Sequence, residues 1–168
     1  HRKEDLSFLH IHTYNAGSMK IRVLQENLIK AVQDALKFIS SKPPIAILSC
    51  ILLETKDGKL HLRATDLSVS IHVVIGCKVE KDGVVAISGR VFADLLSTLP
   101  QGPLDIMVDG GRLLVKSTKA SSFIAITEEK DFPGFPEEKG KRISLNLKQL
   151  SSLLGLGGVA AGIDETRP

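Results

Sequence analysis

Apolar and polar side chains alternate over residues 19–24, and this period of two predicts a β-strand. The period then changes. Leu28, Ile29, Val32, Leu36 and Ile39 recur at helical spacing, so residues 26–40 are expected to form a helix with one apolar stripe. Lys30, Asp34 and Lys37 fall largely on its other side. Pro43 and Pro44 end it, since Pro44 cannot continue a helix and Pro43 restricts Lys42. An apolar run over 45–55, a turn at Lys56-Asp57-Gly58 and a strand over 60–65 read as a hairpin. Residues 69–74 alternate again, with Val69, Ile71 and Val73 on one face and Ser70 and His72 on the other.

The same order then recurs. A short strand over 84–87 leads to a helix over 90–99, whose stripe is Phe92, Leu95, Leu96 and Leu99. Pro100-Gln101-Gly102-Pro103 stops it. Strands are expected at 104–108, 112–117 and 122–127, the first two divided by a turn at Asp109-Gly110-Gly111. The fold class is therefore α+β, a strand-helix-strand-strand-strand unit written twice. Residue similarity between the halves is slight, so the repeat is one of pattern. Two helices side by side on antiparallel sheet bury both stripes economically and leave both polar helix faces on one outer surface.

Asp131-Phe132-Pro133-Gly134-Phe135-Pro136 forbids regular structure and reads as a link whose phenylalanines dock back onto a core. A charged stretch follows, then a strand-like 143–147 and a helix-like start over 148–154. This repeats the opening of the first half and is expected to begin a second domain, cut off at Pro168. Residues 1–18 are polar and lack a clear period. Gly17-Ser18 before Met19 has the look of a vector remnant or upstream sequence, and no apolar core follows Arg2-Lys3 as a signal peptide requires. The expected division is 1–18 non-native, 19–139 first domain and 140–168 the start of a second.

Composition narrows the classes. The 168 residues are 43% hydrophobic and 24% charged, an ordinary globular balance. No apolar run approaches the roughly 20 residues that span a bilayer. Trp is absent and aromatics are 4%, too few for a single-strand binder built on stacked bases. The net charge of +3 is mild for a compact sequence-specific DNA-binding domain. Over residues 19–42, however, Lys20, Arg22, Lys30, Lys37 and Lys42 outnumber Glu26 and Asp34, an excess on and around the first helix. A solvated helix face is the plain reading of that excess.

Cys50 and Cys77 lie far apart in apolar segments and read as buried free thiols. No Gly-x-Ser-x-Gly elbow or His-Glu-x-x-His spacing occurs. His61 and His72 read as separate structural strand residues. Asp57, Asp82 and Asp109 sit in turns, where turn chemistry explains them. Gly155-Leu156-Gly157-Gly158-Val159-Ala160 fits the Gly-x-Gly-x-x-Ala dinucleotide fingerprint. That motif needs a glycine turn directly after a strand, and residues 150–154 read as helix.

Several dispersed pieces resemble, in order, the bacterial DNA polymerase III beta subunit family of sliding clamps. They are Met19-Lys20, the run from Lys42 to Leu48, Ala64-Thr65-Asp66-Leu67, Ser88-Gly89-Arg90, Arg112-Leu113-Leu114-Val115, Asp131-Phe132-Pro133 and the terminal Asp-Glu-Thr-Arg-Pro. The resemblance covers residues 19–136 as a first domain and 141–168 as the opening of a second. It implies a homodimeric ring of three-domain subunits around duplex DNA, with helices lining the hole and no chemistry of its own. It implies a cytoplasmic protein without cofactor or membrane contact that tethers the polymerase. Partner peptides of polymerase and clamp loader would dock in the second and third domains. The resemblance places DNA-touching basic residues at Lys42, where arginine is usual, and at Arg90. Lys30 and Lys37 are further candidates on the same helix faces. Ala46 departs from a common proline. Gly155, Gly157 and Gly158 fall where the second domain's first helix belongs, and at about 1 kcal/mol each relative to Ala they make that helix doubtful. Two other readings are open: a stand-alone α+β interaction module, and a nucleotide-cofactor fragment using 155–160.

Overall fold

Alternation forms the first strand: β1 (Lys20–Leu24) buries Ile21 and Val23 and exposes Lys20, Arg22 and Leu24. The computed structural model describes residues 18–39, 43, 45–127, 129–134, 144 and 146–160. Contacts divide the chain into two compact units, residues 1–135 and 136–168. In the first unit β1 leads directly into α1 (Gln25–Leu36), and β2 (Cys50–Lys56), β3 (Lys59–Thr65) and β4 (Ser70–Gly76) follow as an antiparallel meander. After β5 (Lys78–Lys81) the second half runs β6 (Val84–Ser88), α2 (Gly89–Thr98), β7 (Pro103–Asp109), β8 (Arg112–Lys116) and β9 (Ser121–Thr127).

The strands form one sheet in the order β4-β3-β2-β6-β9-β8-β7-β1-β5. Each half lends its first strand to the other half's meander: β1 pairs with β7, and β6 with β2. The last strand of each half changes partner along its length. β9 pairs first with β8, then through Ile126 and Thr127 with β6. In the first half the same role is divided between β4, which pairs with β3, and β5, which pairs with β1. Only Cys77 separates these two, although they are the end strands of the sheet. The sheet therefore curls and returns on itself through the chain.

Both apolar helix stripes are buried on the same face. Leu28, Ala31, Val32 and Ala35 of α1 and Phe92, Ala93 and Leu96 of α2 join Ile21, Ile51, Leu53, Leu60, Leu62, Ile87, Leu104, Ile106, Leu113 and Val115 in one core. A smaller cluster covers part of the opposite face. There a short 3-10 helix (Ala46–Ser49) brings Ile47 and Leu48 onto Cys50, Leu52 and Ala86, and Phe132 packs against the same group. Phe132 thus docks back as its loop suggests; Phe135 lies outside the described residues.

Several elements differ from the sequence expectation. The first helix stops at Leu36 rather than at residue 40. Backbone N–H groups of Lys37, Phe38 and Ile39 bond to carbonyls three residues back, tightening the last turn before the prolines. The run over 45–55 is a 3-10 turn and then a strand. β5 has no counterpart in the sequence reading, because Lys78, Glu80 and Lys81 hide a strand that has Val79 as its one partly buried apolar residue. In the second unit Leu147–Ala160 is one helix, α3, running through Gly155, Gly157 and Gly158. Asn146 caps it, its Oδ1 accepting the Lys148 N–H at 2.9 Å. Propensity is a weak constraint that a capped, leucine-rich segment overrides. Of the strand expected at 143–147, Ser144 and Asn146 carry no regular structure and Leu147 is already helical.

One close approach fixes where β1 begins. A Cβ on Gly83 would stand 2.8 Å from the Met19 backbone nitrogen. Thr55, buried on β2, accepts the Gly83 N–H through Oγ1 at 2.8 Å and donates from the same oxygen to the Gly83 carbonyl at 3.2 Å. Gly83→Ala must push backbone against backbone, and its expected cost is about 1–3 kcal/mol. Urea unfolding checks this; a variant as stable as the parent would show that the Met19 strand end is not held there.

Candidate nucleic-acid interface

The two helices run antiparallel. At one end the Gln25 backbone N–H donates to the Gly102 carbonyl at 2.8 Å, and its buried side-chain amide donates to the Leu96 carbonyl at 2.8 Å. The start of α1 is thereby tied to the end of α2. At the other end Gly89 opens α2 against α1, where a Cβ would meet Ile39 Cδ1 at 2.9 Å and Ile51 Cγ1 at 3.0 Å. The lack of a side chain at Gly89 lets the two helix ends approach, and it places Arg90 beside the last turn of α1.

The outward faces form one surface. On α1 it carries Glu26, Asn27, Lys30, Gln33 and Lys37, all exposed, with Asp34 half-buried; on α2 it carries Arg90, Val91, Asp94, Ser97 and Thr98. Lys30, Lys37 and Arg90 therefore share it, as the sequence leads one to expect. Lys42 lies outside the described residues. The surface is not a uniformly basic strip, because Glu26, Asp34 and Asp94 balance the three cations in number. The charges are instead sorted by end. Glu26 sits at the start of α1, where its carboxylate accepts the Gly102 N–H at 3.2 Å. Lys37 and Arg90 sit at the opposite end.

Lys37 Nζ bonds Asp34 Oδ1 at 2.7 Å, and this hydrogen bond, with the charges of Lys37 and Lys30, holds the Asp34 carboxyl below the usual carboxylate range. Both groups are well solvated, so the pair adds little to stability. Among the described residues Lys30 and Arg90 make no ion pair. Arg90 stands in the first turn of α2, which holds no acidic residue. A cation there opposes the helix dipole by some tenths of a kcal/mol, so helix stability does not account for it. A guanidinium and an ammonium on one open end suit phosphate oxygens, the first as a fork and the second as a point charge. Beside Lys30, Asn27, Asp34, Val73, Ile75 and Gly76 line a shallow groove of about 280 Å³ between α1 and β4.

The basic excess read from residues 19–42 is divided by the fold. Lys20 and Arg22 point from β1 to the face opposite the helices. There Lys20 pairs with Glu80 at 2.7 Å, and Arg22 grips Asp105 at 2.6 and 3.0 Å. Alternation in the strand carried that information, since both flank the inward Ile21. Residues 155–160, which fit a dinucleotide fingerprint, are helix interior, so the glycine turn that motif requires does not form. His61 and His72, read as separate, are in contact. Cys50 is buried and Cys77 half-buried, both free, and burial pushes the Cys77 thiol up. Among the described residues no three His, Cys, Asp or Glu side chains gather as a metal site, and no helix is long and apolar enough to cross a membrane.

The doubled unit, with a crossed-over sheet on one side and an open helix pair on the other, defines a two-repeat α+β module built to present a helical surface. A sequence profile described as DNA polymerase III beta subunit, N-terminal domain, matches residues 19–136. The chain belongs to that family. The beta sliding clamp of Streptomyces coelicolor is 31% identical over 150 residues, which are 89% of this chain and 40% of that protein. That of Chlamydia pneumoniae is 32% identical over 143 residues, 84% of this chain and 38% of the relative. The crystal structure of the DNA polymerase sliding clamp from Bacillus subtilis shares the fold with a TM-score of 0.83 at 25% identity, over 90% of this chain and 42% of that one. The chain thus spans less than half the length of these relatives.

Asp34 is the group that most directly restrains the basic end. Asp34→Asn keeps the side-chain shape and removes the charge that Lys37 and Lys30 face. The expected result is tighter duplex binding, by about two- to fivefold at low salt, read by fluorescence anisotropy. Weaker binding in this variant would mean that the helix face does not meet phosphate.

Proposed function

We propose that this chain supplies the first domain of a DNA sliding clamp, a processivity factor that holds a replicative polymerase on duplex DNA. The reading rests on the family membership and on one observation: the two helices present their polar faces together, with Lys37 and Arg90 converging at one end. In the assembled homodimeric ring this surface faces the duplex. It meets phosphates and not base edges, which gives attraction without sequence preference and leaves the ring free to slide. Its modest charge fits that task, since a strongly basic lining would hold the DNA in place.

The ring performs no chemistry in this account. It raises the polymerase's effective concentration at the primer end by tethering. Lys30, Lys37, Lys42 and Arg90 are the proposed DNA contacts, Lys42 on the strength of its place in the sequence. Residues 19–139 are assigned to the first domain in this reading and residues 140–168 to the start of the second. Polymerase and clamp loader dock elsewhere on the ring, in the cytoplasm. The Helicobacter pylori beta clamp, bound to a DNA ligase peptide in its crystal structure, shares the fold with a TM-score of 0.67 at 30% identity, over 70% of this chain and 33% of that one. It supports the idea that peptide recognition belongs to a protein of this kind.

Fluorescence anisotropy with duplexes of unrelated sequence tests the DNA reading. Equal, weak affinities are expected, falling with salt along a log-log slope of roughly −2 to −3 for two or three phosphates. Arg90→Glu combined with Lys37→Glu should abolish measurable binding, and Arg90→Ala alone should lower the slope by about 1. Marked preference for one sequence, or binding unaffected by the double reversal, would refute the assignment.

A further inference from the structure

Gly89, the first residue of α2, stands against two isoleucines. A Cβ placed there would lie 2.9 Å from Ile39 Cδ1, and 3.0 and 3.1 Å from Ile51 Cγ1 and Cδ1. The two neighbours are held very differently. Ile51 is fully buried in the main core and paired across the sheet with Ile87 of β6. It has no room to retreat. Ile39 is only partly buried and lies in the tight turns that close α1, its N–H reaching back to the Leu36 carbonyl at 3.5 Å. Lys37 is two residues away, so the seat of Ile39 also fixes the last turn of α1. At the start of α2 the N-cap residue Ser88 adds no side-chain hydrogen bond, which leaves packing at Gly89 to hold that helix end. The cations are tied to these two backbones. Lys37 Nζ is bonded to Asp34 Oδ1 at 2.7 Å, which draws the ammonium back to α1. Arg90 follows Gly89 directly.

We propose that Ile39, seated on the bare Cα of Gly89, is a spacer that makes Lys37 and Arg90 one phosphate-binding unit and not two independent charges. The inference rests on reading the helix surface as the DNA face. A phosphate diester carries one charge on two free oxygens. A guanidinium fork and an ammonium that converge on it each find the anion already placed by the other, and the anion relieves the repulsion between them. Contacts of that kind are coupled, so removing one cation devalues the other. Cations set further apart take different phosphates and act separately.

The contact can be altered without touching either charge. Gly89→Ala adds one carbon where the tip of Ile39 stands. Ile51 cannot yield, so Ile39 or the start of α2 must shift, and either movement changes the spacing of Lys37 and Arg90. Ile39→Val removes Cδ1, the atom that stands nearest. The two changes together move one carbon across the contact and conserve its volume. Gly89 and Ile39 are thus positioning residues that touch no DNA themselves.

The test is a double-mutant cycle in the 168-residue chain, Lys37→Ala, Arg90→Ala and both, in the parent and in Gly89→Ala. Binding is read by fluorescence anisotropy with a labelled short duplex at low salt, and urea unfolding reports that each protein is folded. In the parent each single change is expected to weaken binding about fivefold and the pair only about tenfold, well short of the roughly 25-fold product of independent contacts. In Gly89→Ala the starting affinity should fall about threefold and the two losses should multiply. Adding Ile39→Val should bring back both the affinity and the shortfall. A purely structural Gly89 would lower stability and leave the cycle as it is in the parent. That outcome, or losses that already multiply in the parent, would overturn the spacer. If Gly89→Ala does not fold, Ile39→Ala removes the spacer from the α1 side: multiplying losses then support it and a parent-like shortfall overturns it. If neither Lys37→Ala nor Arg90→Ala weakens binding, the DNA reading itself falls, and the spacer with it.

Discussion

Everything in the first unit depends on burying two helix stripes against one face of one sheet. Neither helix is apolar all round, and the one sheet that takes both stripes must be continuous across the two halves. The solution is exchange: β1 enters the second meander and β6 the first, and the last strand of each half spans the join. Phe92, Leu28 and Leu96 become fully buried as a result. The polar faces have then no choice but to share the other side. The surface assigned to DNA is thus a consequence of core packing before it is anything else.

The antiparallel crossing of the helices does the rest. Gln25 ties one pair of ends and Gly89 allows the other pair to close up. Charges that alternate in sequence are thereby sorted in space. Glu26 is left at one end, and Lys37 and Arg90, more than fifty positions apart in the chain, arrive at the other. Asp34 moderates that end through its bond to Lys37. Under the proposed function, a surface with cations at one edge would attract phosphates weakly, as suits a ring that must stay on DNA and still move along it.

Much of this was legible in the sequence. The periods of two and 3.6 marked the strands and both helices, and the Asp57-Gly58 and Gly110-Gly111 turns have both central residues at positive φ, as tight hairpins need. The doubled order followed from those elements. What escaped was set by contacts rather than by pattern. β5 is mostly charged and exists because β1 offers it an edge. The early stop of α1 is local competition between turn types near two prolines. The helix through Gly155 shows a cap and leucines outweighing propensity. At the site, Lys30, Lys37 and Arg90 were visible as helix-face residues, but Lys20 and Arg22 were counted with them although strand alternation turns them to the opposite face. The contact between His61 and His72 required the β3–β4 register, which no single-strand pattern contains.

The central claim is that DNA meets the helix side of this module at the end where α1 finishes and α2 starts. Backbone amide shifts recorded while a short duplex is added to the labelled chain address it residue by residue. The account requires the shifts to concentrate around residues 33–38 and 90–94 and to vanish as salt is raised, with β1 and β8 unmoved. Shifts centred on Lys20, Arg22, Arg112 and Lys116, on the opposite face of the sheet, would contradict it.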